Sequence, residues 1–370
     1  VVGPLTSAGS GERRRRELEA LLILDALPGM GPRGVRDVVV AAGSAQAALA
    51  DTRLLEARAG EVAVTAARAA GTRDGVLRAL EIAERMAMAT VLLSEAAYPP
   101  ALLHLSDPPP VLFLRGRTEL LSEVGVAVVG ARKATARARG VAHALGAAVA
   151  ARGTAVVSGL ALGVDGAAHE GALHAGGPTV AVMGRGADRA YPATHAALFR
   201  RILREGLVVS EFLPGTPALP YHFPRRNRIL AALSRVLVVV EAGERSGALI
   251  SVDHALDLGV EVWAVPGPVD EPACLGSNAL LADGARPLVS VARFTEAVLG
   301  PAPAPVADAP AALPGPEGDV LSALGVGILS ADELVRATGL PSGRVLALLS
   351  ALELGGRVRR LPGMRFRKAG

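Results

Sequence analysis

Cysteine is almost missing from this 370-residue sequence: Cys274 stands alone, which excludes an internal disulfide and any cysteine-based metal cluster. A chain so poor in cysteine suits a reducing cytoplasm. Lysine is nearly as scarce, with only Lys133 and Lys368 among 39 basic residues. Positive charge therefore sits on arginine, whose planar fork suits bidentate phosphate recognition and stacking on bases. Aromatic residues make up 3% of the chain, so the core must be built from alanine, valine and leucine. No stretch approaches the length of an apolar membrane span, and no signal-peptide pattern follows Arg13 to Arg16. The expectation is a soluble cytoplasmic protein with no membrane partner.

The patterning predicts five segments. Residues 1–16 read as a disordered basic tail. Residues 17–88 carry helical periodicity, with Leu18, Leu21, Leu22 and Leu24 on one face, and form a small all-α domain. Within it, Leu27-Pro28-Gly29-Met30-Gly31 resembles a helix-hairpin-helix turn, either a phosphate contact or a packing device. Residues 89–292 alternate strand-like and helical runs, the signature of a parallel sheet with crossover helices. Candidate strands are Val126–Val129, Thr154–Ser158, Thr179–Met183, Leu207–Ser210, Val236–Val240, Glu261–Val265 and Pro287–Ser290, with Val111–Leu114 as an edge strand. Residues 293–317 read as a Pro/Ala-rich linker. Residues 318–370 read as helix, turn, helix and basic hairpin, a winged helix that touches either nucleic acid or a protein.

In an open parallel sheet, ligands sit outside the carboxyl ends of the strands. The strand exits here are Gly130-Ala131-Arg132-Lys133, Ser158-Gly159, Gly184-Arg185-Gly186, the long loop through Glu211 to Phe223-Pro224-Arg225-Arg226-Asn227-Arg228, Glu244-Arg245-Ser246-Gly247, and Pro266-Gly267. The turn after Ser158 leads into a helix near Asp165, whose free amides would attract an anion. Three arginines within residues 225–228 repel one another unless a polyanion or nearby carboxylates relieve them. Tyr191, Phe212, Tyr221 and Phe223 fall in the same loops, and arginine interleaved with aromatics is what a single strand of nucleic acid requires. Any of these aromatics could instead cap the core.

Catalytic patterns fit poorly. The first turn lacks the Gly-x-Gly-x-x-Gly of a dinucleotide site, and no Gly-x-Ser-x-Gly elbow is present. His169 and His174 are five apart, which is wrong for two metal ligands on one helical face. Asp165, Glu211 and Glu241 are expected to orient arginines or cap helices. No catalytic residue, metal or cofactor is expected. The rival is a nucleoside-monophosphate phosphoribohydrolase-like enzyme on a related sheet. That group's resemblance calls for Pro-Gly-Gly-x-Gly-Thr after the fifth strand, where this chain has Glu241-Ala242-Gly243-Glu244-Arg245-Ser246-Gly247.

Val126 to Thr135, Ser158 to His169, Phe223 to Ile229, Glu241 to Ser251 and Gly276 to Ala285 together resemble the DNA-processing protein A family (DprA, or Smf) over about residues 86–290. The resemblance implies an α/β protein with an extended Rossmann-like parallel sheet. Flanking it would be an N-terminal all-α domain of sterile-alpha-motif or helix-hairpin-helix type and a C-terminal winged helix. It also implies single-stranded DNA binding, loading of the RecA recombinase during natural transformation, and a homodimer. By matching position, Arg132, Lys133, Ser158, Gly159, Arg225, Arg226, Asn227 and Arg228 inherit the DNA contacts. Arg185, Gly186, Phe223, Ser246 and Gly247 complete the candidate interface from the same strand exits. The pattern departs after Tyr191-Pro192, where Ala193-Thr194-His195 replace a basic and an Asn-like position; Arg185 or Arg189 is the candidate substitute.

Overall fold

A computed structural model describes residues 8–301, 315–324, 328–355, 357–361 and 363–368. The chain divides into two units, Val1–Ala302 and Pro303–Gly370. The first opens with six helices: α1 (Ala8–Ala26), α2 (Gly31–Ala42), α3 (Ala45–Ala50), α4 (Thr52–Ala59), α5 (Glu61–Arg68) and α6 (Ala70–Arg85). Short polar caps set the breaks: Ser44 accepts from the Ala47 amide and Asp51 from the Leu54 amide. Gly43 ends α2 in the left-handed conformation. Residues 8–16 correct the expectation of a disordered tail over 1–16, since they form the first turns of α1, while residues 1–7 lie outside the described residues. The Arg14 guanidinium binds the Glu95 carboxylate and the Thr90 carbonyl, so part of the basic run is anchored.

A nine-stranded sheet follows, in the order β1-β2-β6-β5-β4-β3-β7-β8-β9. Its strands are β1 (Ala89–Leu92), β2 (Val111–Gly116), β3 (Gly125–Val129), β4 (Val156–Ser158), β5 (Thr179–Val182), β6 (Leu207–Ser210), β7 (Ser234–Val239), β8 (Glu261–Ala264) and β9 (Arg286–Pro287). The strands from β3 onward pair in parallel, whereas β2 runs antiparallel to both β1 and β6. Val111–Leu114 is therefore not an edge. The unforeseen β1 covers it, and Leu92, Val111 and Phe113 join the core of the N-terminal helices.

Helices cover both faces of the sheet. On one side α7 (Ala136–Ala150), α8 (Val164–His174) and α13 (Val291–Leu299) pack on Val126, Val128, Val236 and Val238. On the other, α10 (His222–Ala232) and α11 (Leu249–Asp257) pack on Ala127, Val129, Leu237 and Val239. The alternation within β3 and β7 serves both layers, which explains their unbroken Val/Ala/Leu sequences. Helices α9 (Ala196–Glu205) and α12 (Leu275–Ala282) complete the crossovers. The tight α7–α8 contact depends on Gly146, where a Cβ would overlap the Ala168 carbonyl oxygen. Helix α13 also corrects the linker, because residues 293–299 are helical and Phe294 packs edge-on against Trp263 at 5.0 Å. Of the rest of the expected linker, residues 302–314 lie outside the described residues, and Pro316 and Glu317 already belong to a helix, Pro316–Leu324.

The second unit contains α14 (Pro316–Leu324), β10 (Ile328–Ser330), α15 (Ala331–Thr338), α16 (Ser342–Leu354), β11 (Val358–Leu361) and β12 (Arg365–Lys368). Its sheet has the order β10-β12-β11. Ser330 and Glu333 form a reciprocal capping box at the start of α15, and Gly339 closes that helix in the left-handed conformation. Leu334, Val345, Leu349, Val358 and Phe366 share one core. This is the winged-helix arrangement expected from the pattern.

Candidate functional site

The sheet reverses its direction of growth at β3: β4, β5 and β6 lie on one side, and β7, β8 and β9 on the other. Parallel sheets open a crevice at such a switch point. A cavity of about 630 Å³ occupies it here, within the range of a small-ligand or nucleotide site.

Each wall of the cavity has a local cause. Gly130 ends β3 because a Cβ there would lie 2.6 Å from Val164 Cγ2 and 2.9 Å from the Glu241 carbonyl oxygen. The next amide, Ala131 N–H, donates to that carbonyl at 2.7 Å. The Glu241 carboxylate accepts from the Thr135 amide at 2.9 Å and from the Thr135 hydroxyl at 2.6 Å. Thr135 in turn accepts from the Ala138 amide and caps α7. The loop is thus pinned at both ends, with Arg132 and Lys133 exposed between. The Arg132 guanidinium lies 4.8 Å above the Phe223 ring, and the Tyr191 ring packs against Phe223 at 5.5 Å, tilted by 35°. A cation and two rings therefore form one continuous platform. Gly184 makes room for it, since a Cβ there would lie 2.8 Å from Phe223.

Arg226 forms the cavity floor. It is buried, its Nη1 donates to the Gly159 carbonyl at 2.9 Å and to the Val182 carbonyl, and its Nε donates to Asn227 at 3.1 Å. Burial pushes its pKa down to about 10, opposed by Asp165, so it remains a cation at neutral pH. Asn227 also reaches the Gly247 carbonyl at 3.4 Å and ties α10 to the β7 exit. Ser246, Gly247 and Arg245 also line the cavity. Arg245 is exposed and was missed as a site residue. Its position just after the fifth parallel strand was the available signal.

The thirteen sequence-derived candidates divide into two groups. Arg132, Phe223, Arg226, Asn227, Ser246 and Gly247 line the cavity. Lys133 stands beside Arg132 on the pinned loop. The other six do not line the cavity. Ser158 is buried and donates to the Val128 carbonyl at 2.6 Å. Gly159 lies beneath Arg226, where any side chain would overlap the guanidinium. In the turn that leads into α8, Asp165 accepts from the amides of Gly159 at 3.1 Å and Ala161 at 3.3 Å, while two of the helix's own first amides, Val164 and Gly166, donate to the Ala131 and Ala161 carbonyls at 3.3 and 3.1 Å. Burial raises the Asp165 pKa, while Arg226 and the Gly159 and Ala161 amides oppose the rise. The Arg185 carbonyl accepts from Ser210 at 2.6 Å, and Gly186 packs against Asp188 and Leu213.

For Arg225 and Arg228 the second of the two expected alternatives holds: carboxylates relieve their repulsion. Arg228 is 4% exposed and grips Glu211 with both terminal nitrogens at 2.8 Å, while its Nε donates to Asp107 at 2.9 Å. Burial alone would lower its pKa, but Glu211 and Asp107 outweigh that and raise it. Arg225 pairs with Glu211 at 2.9 Å and with Asp25 of α1 at 3.8 Å. Phe212 is buried and stacked on His222 at 4.1 Å, which makes it a core cap. Tyr221, 67% exposed, remains available beside the crevice. Among the described residues no cluster of His, Cys, Asp and Glu could hold a metal, and no helix is long and apolar enough to cross a membrane.

Two family models match the chain. One, DNA recombination-mediator protein A, covers residues 89–299, and the other, the DprA winged helix domain, covers residues 301–364. Protein Smf of Escherichia coli K12 is 37% identical over 285 residues, covering 74% of this chain and 76% of that protein. A putative DNA processing protein DprA of Mycobacterium tuberculosis is 42% identical over 257 residues, 67% of this chain and 66% of the relative. The solved structure of DNA processing protein A from Streptococcus pneumoniae superposes with a TM-score of 0.66 at 29% identity, covering 76% of this chain and 97% of that one. The Helicobacter pylori protein, solved for its single-stranded DNA binding mode, gives a TM-score of 0.53 at 30% identity over 58% of this chain and 97% of its own.

Proposed function

The chain belongs to the DNA recombination-mediator protein A (DprA/Smf) family, and on that premise we propose that its switch-point crevice binds single-stranded DNA without sequence preference. One observation carries the reading: Arg132, Arg226 and Arg245, from three separate strand exits, meet on one cavity beside the Tyr191–Phe223 platform. The guanidinium groups follow the phosphate backbone, and the rings take unpaired bases. Lys133 adds charge at the rim, and Asn227, Ser246 and Gly247 supply polar contacts. Ser158, Gly159, Gly186, Arg225 and Arg228 make framework contacts near these strand exits, and Arg185 does so through its carbonyl. A duplex keeps its bases stacked inside and would leave the ring platform unused.

The bound strand is handed to the RecA recombinase in the cytoplasm during natural transformation, by a homodimer and without catalytic turnover. Among the described residues Asp165 is the only carboxylate lining the cavity, and it is held by two backbone amides, which favours a binding role over acid/base chemistry. Titration of labelled oligo-dT against the Arg132→Ala/Arg245→Ala variant tests the assignment. Affinity should fall, and the log-log salt slope should flatten by about 0.7 per lost phosphate contact. Unchanged affinity rejects the crevice as the site. A strand-exchange assay with RecA on strands coated by single-strand binding protein tests the loading step, which fails if the protein gives no stimulation. Free adenine released from AMP would instead establish the phosphoribohydrolase rival.

A further inference from the structure

We propose that the outer face of the C-terminal wing is a second DNA-binding surface, one that takes the phosphate backbone of duplex DNA independently of the crevice. From Arg357 to Lys368 the chain carries five arginines, one lysine and no acidic residue. The strand register sorts them by face. Arg359 lies directly opposite Arg367, and Leu361 opposite Arg365, and directly opposed side chains of an antiparallel pair share a face. Arg359, Arg365 and Arg367 therefore crowd one side of the hairpin, away from the side that buries Val358 and Phe366. All three are exposed. The third strand places Ile328 beside Arg367 and Ser330 beside Arg365, adding no acid. Glu333 sits near Arg365, but its Oε2 is held by Ser330 N–H at 2.7 Å and Oγ at 2.9 Å. Among the described residues, no ion pair involves the three arginines.

Like charges set directly opposite one another destabilise a sheet, and a bound polyanion removes that penalty. Two features select duplex backbone as the polyanion. First, the only aromatic residue of this unit is Phe366, which is buried. The face has no ring on which unpaired bases could stack, whereas the crevice has such a platform. A duplex turns its bases inward and presents phosphates. Second, alternate residues on a strand are about 6.6–6.8 Å apart and neighbouring strands about 4.8 Å apart. Three guanidinium forks on that grid suit successive phosphates of one strand. Helix α16, which a major-groove reader would insert, carries Arg344 and Glu353 as its only charges. Arg344 is its only long donor, too few to read a run of base edges, so the wing contact to phosphates is independent of sequence.

The test uses the full chain, a labelled blunt duplex and labelled oligo-dT of equal length. The Arg359→Ala/Arg365→Ala/Arg367→Ala variant should lose about tenfold in duplex affinity, and its salt slope should flatten by about 0.9 per lost phosphate contact. Oligo-dT affinity should stay within about twofold, since the crevice is intact. The corresponding triple Lys variant should keep most of the duplex affinity, and circular dichroism matching the parent confirms that each variant is folded. Arg132→Ala/Arg245→Ala should show the reverse pattern, so failure of the crevice reading and failure of this one are distinguishable. Unchanged duplex affinity in the triple Ala variant, or equal losses on both probes, overturns the proposal. Retained duplex affinity with lost binding of a polyglutamate peptide would reassign the face to an acidic protein.

Discussion

Replacing Arg228 with methionine separates two meanings of an arginine in this sequence. The side chain is 4% exposed, and Glu211, its bidentate partner, is 1% exposed. Methionine fills much of the volume but leaves Glu211 with Arg225 as its remaining partner. Breaking a buried ion pair by removing one member costs about 3–5 kcal/mol. Asp107 is 34% exposed and can rehydrate, and Arg225 still pairs with Glu211. Both facts place the loss near the lower end, about 3 kcal/mol. For a unit of this size each kcal/mol shifts Tm by about 2–4 °C, so a fall of about 6–12 °C is expected. Affinity for oligo-dT, measured well below the lowered Tm, should stay within about threefold of the parent, because Arg228 does not line the cavity. Arg132→Ala should do the opposite: Tm unchanged within about 1 °C, as for an exposed substitution, and affinity reduced. Thermal melts paired with anisotropy titrations read both quantities. If Arg228→Met left Tm intact and weakened oligo-dT binding as Arg132→Ala does, the framework role of the salt-bridge cluster would be wrong.

The other perturbations probe separate parts of the structure. Burial raises the Asp25 pKa from 3.8 to about 6, so the folded state binds its proton more tightly than the unfolded chain. Stability from this group is present at low pH and lost as pH rises through about 6. Asp25→Asn should therefore melt higher than the parent at pH 8, with the gap closing near pH 4; a gap that widens on acidification would contradict the burial argument. Gly146→Val should destabilise by about 1–3 kcal/mol through overpacking of α7 on α8, read by urea unfolding, and an unchanged midpoint would refute that close approach. Phe294→Ala should cost about 3–5 kcal/mol and red-shift the emission of Trp263, the sole tryptophan. A neutral result would return residues 293–299 to the linker.

Periodicity and strand exits carried much of the architecture. The parallel strands were legible because most of the β-branched runs lead into glycine or arginine. Strand β1 escaped because Ala89–Leu92 follows a long helix without a turn residue, and only pairing with β2 makes it a strand. The run Arg13 to Arg16 looked like a solvated tail because its partners Glu95 and Thr90 are some eighty residues away in sequence. The arginines of residues 225–228 were legible as a cluster but not as individuals. One turn of helix points Arg226 into the cavity and Arg228 toward Glu211 and Asp107.

The amino-acid order by itself determined the fold class, the winged-helix pattern and the family, since these depend on local periodicity and on motifs contiguous in the chain. Folding decided which cations face solvent. The charge state available to a ligand depends on carboxylates brought from distant segments, as Asp25, Asp107 and Glu211 are brought to Arg225 and Arg228. It also decided that Asp165 would take the turn amides of Gly159 and Ala161, and that Arg245, Arg132 and the Phe223 ring would line one cavity. Coulomb energy and desolvation act over distances in space, and no spacing along the chain records them.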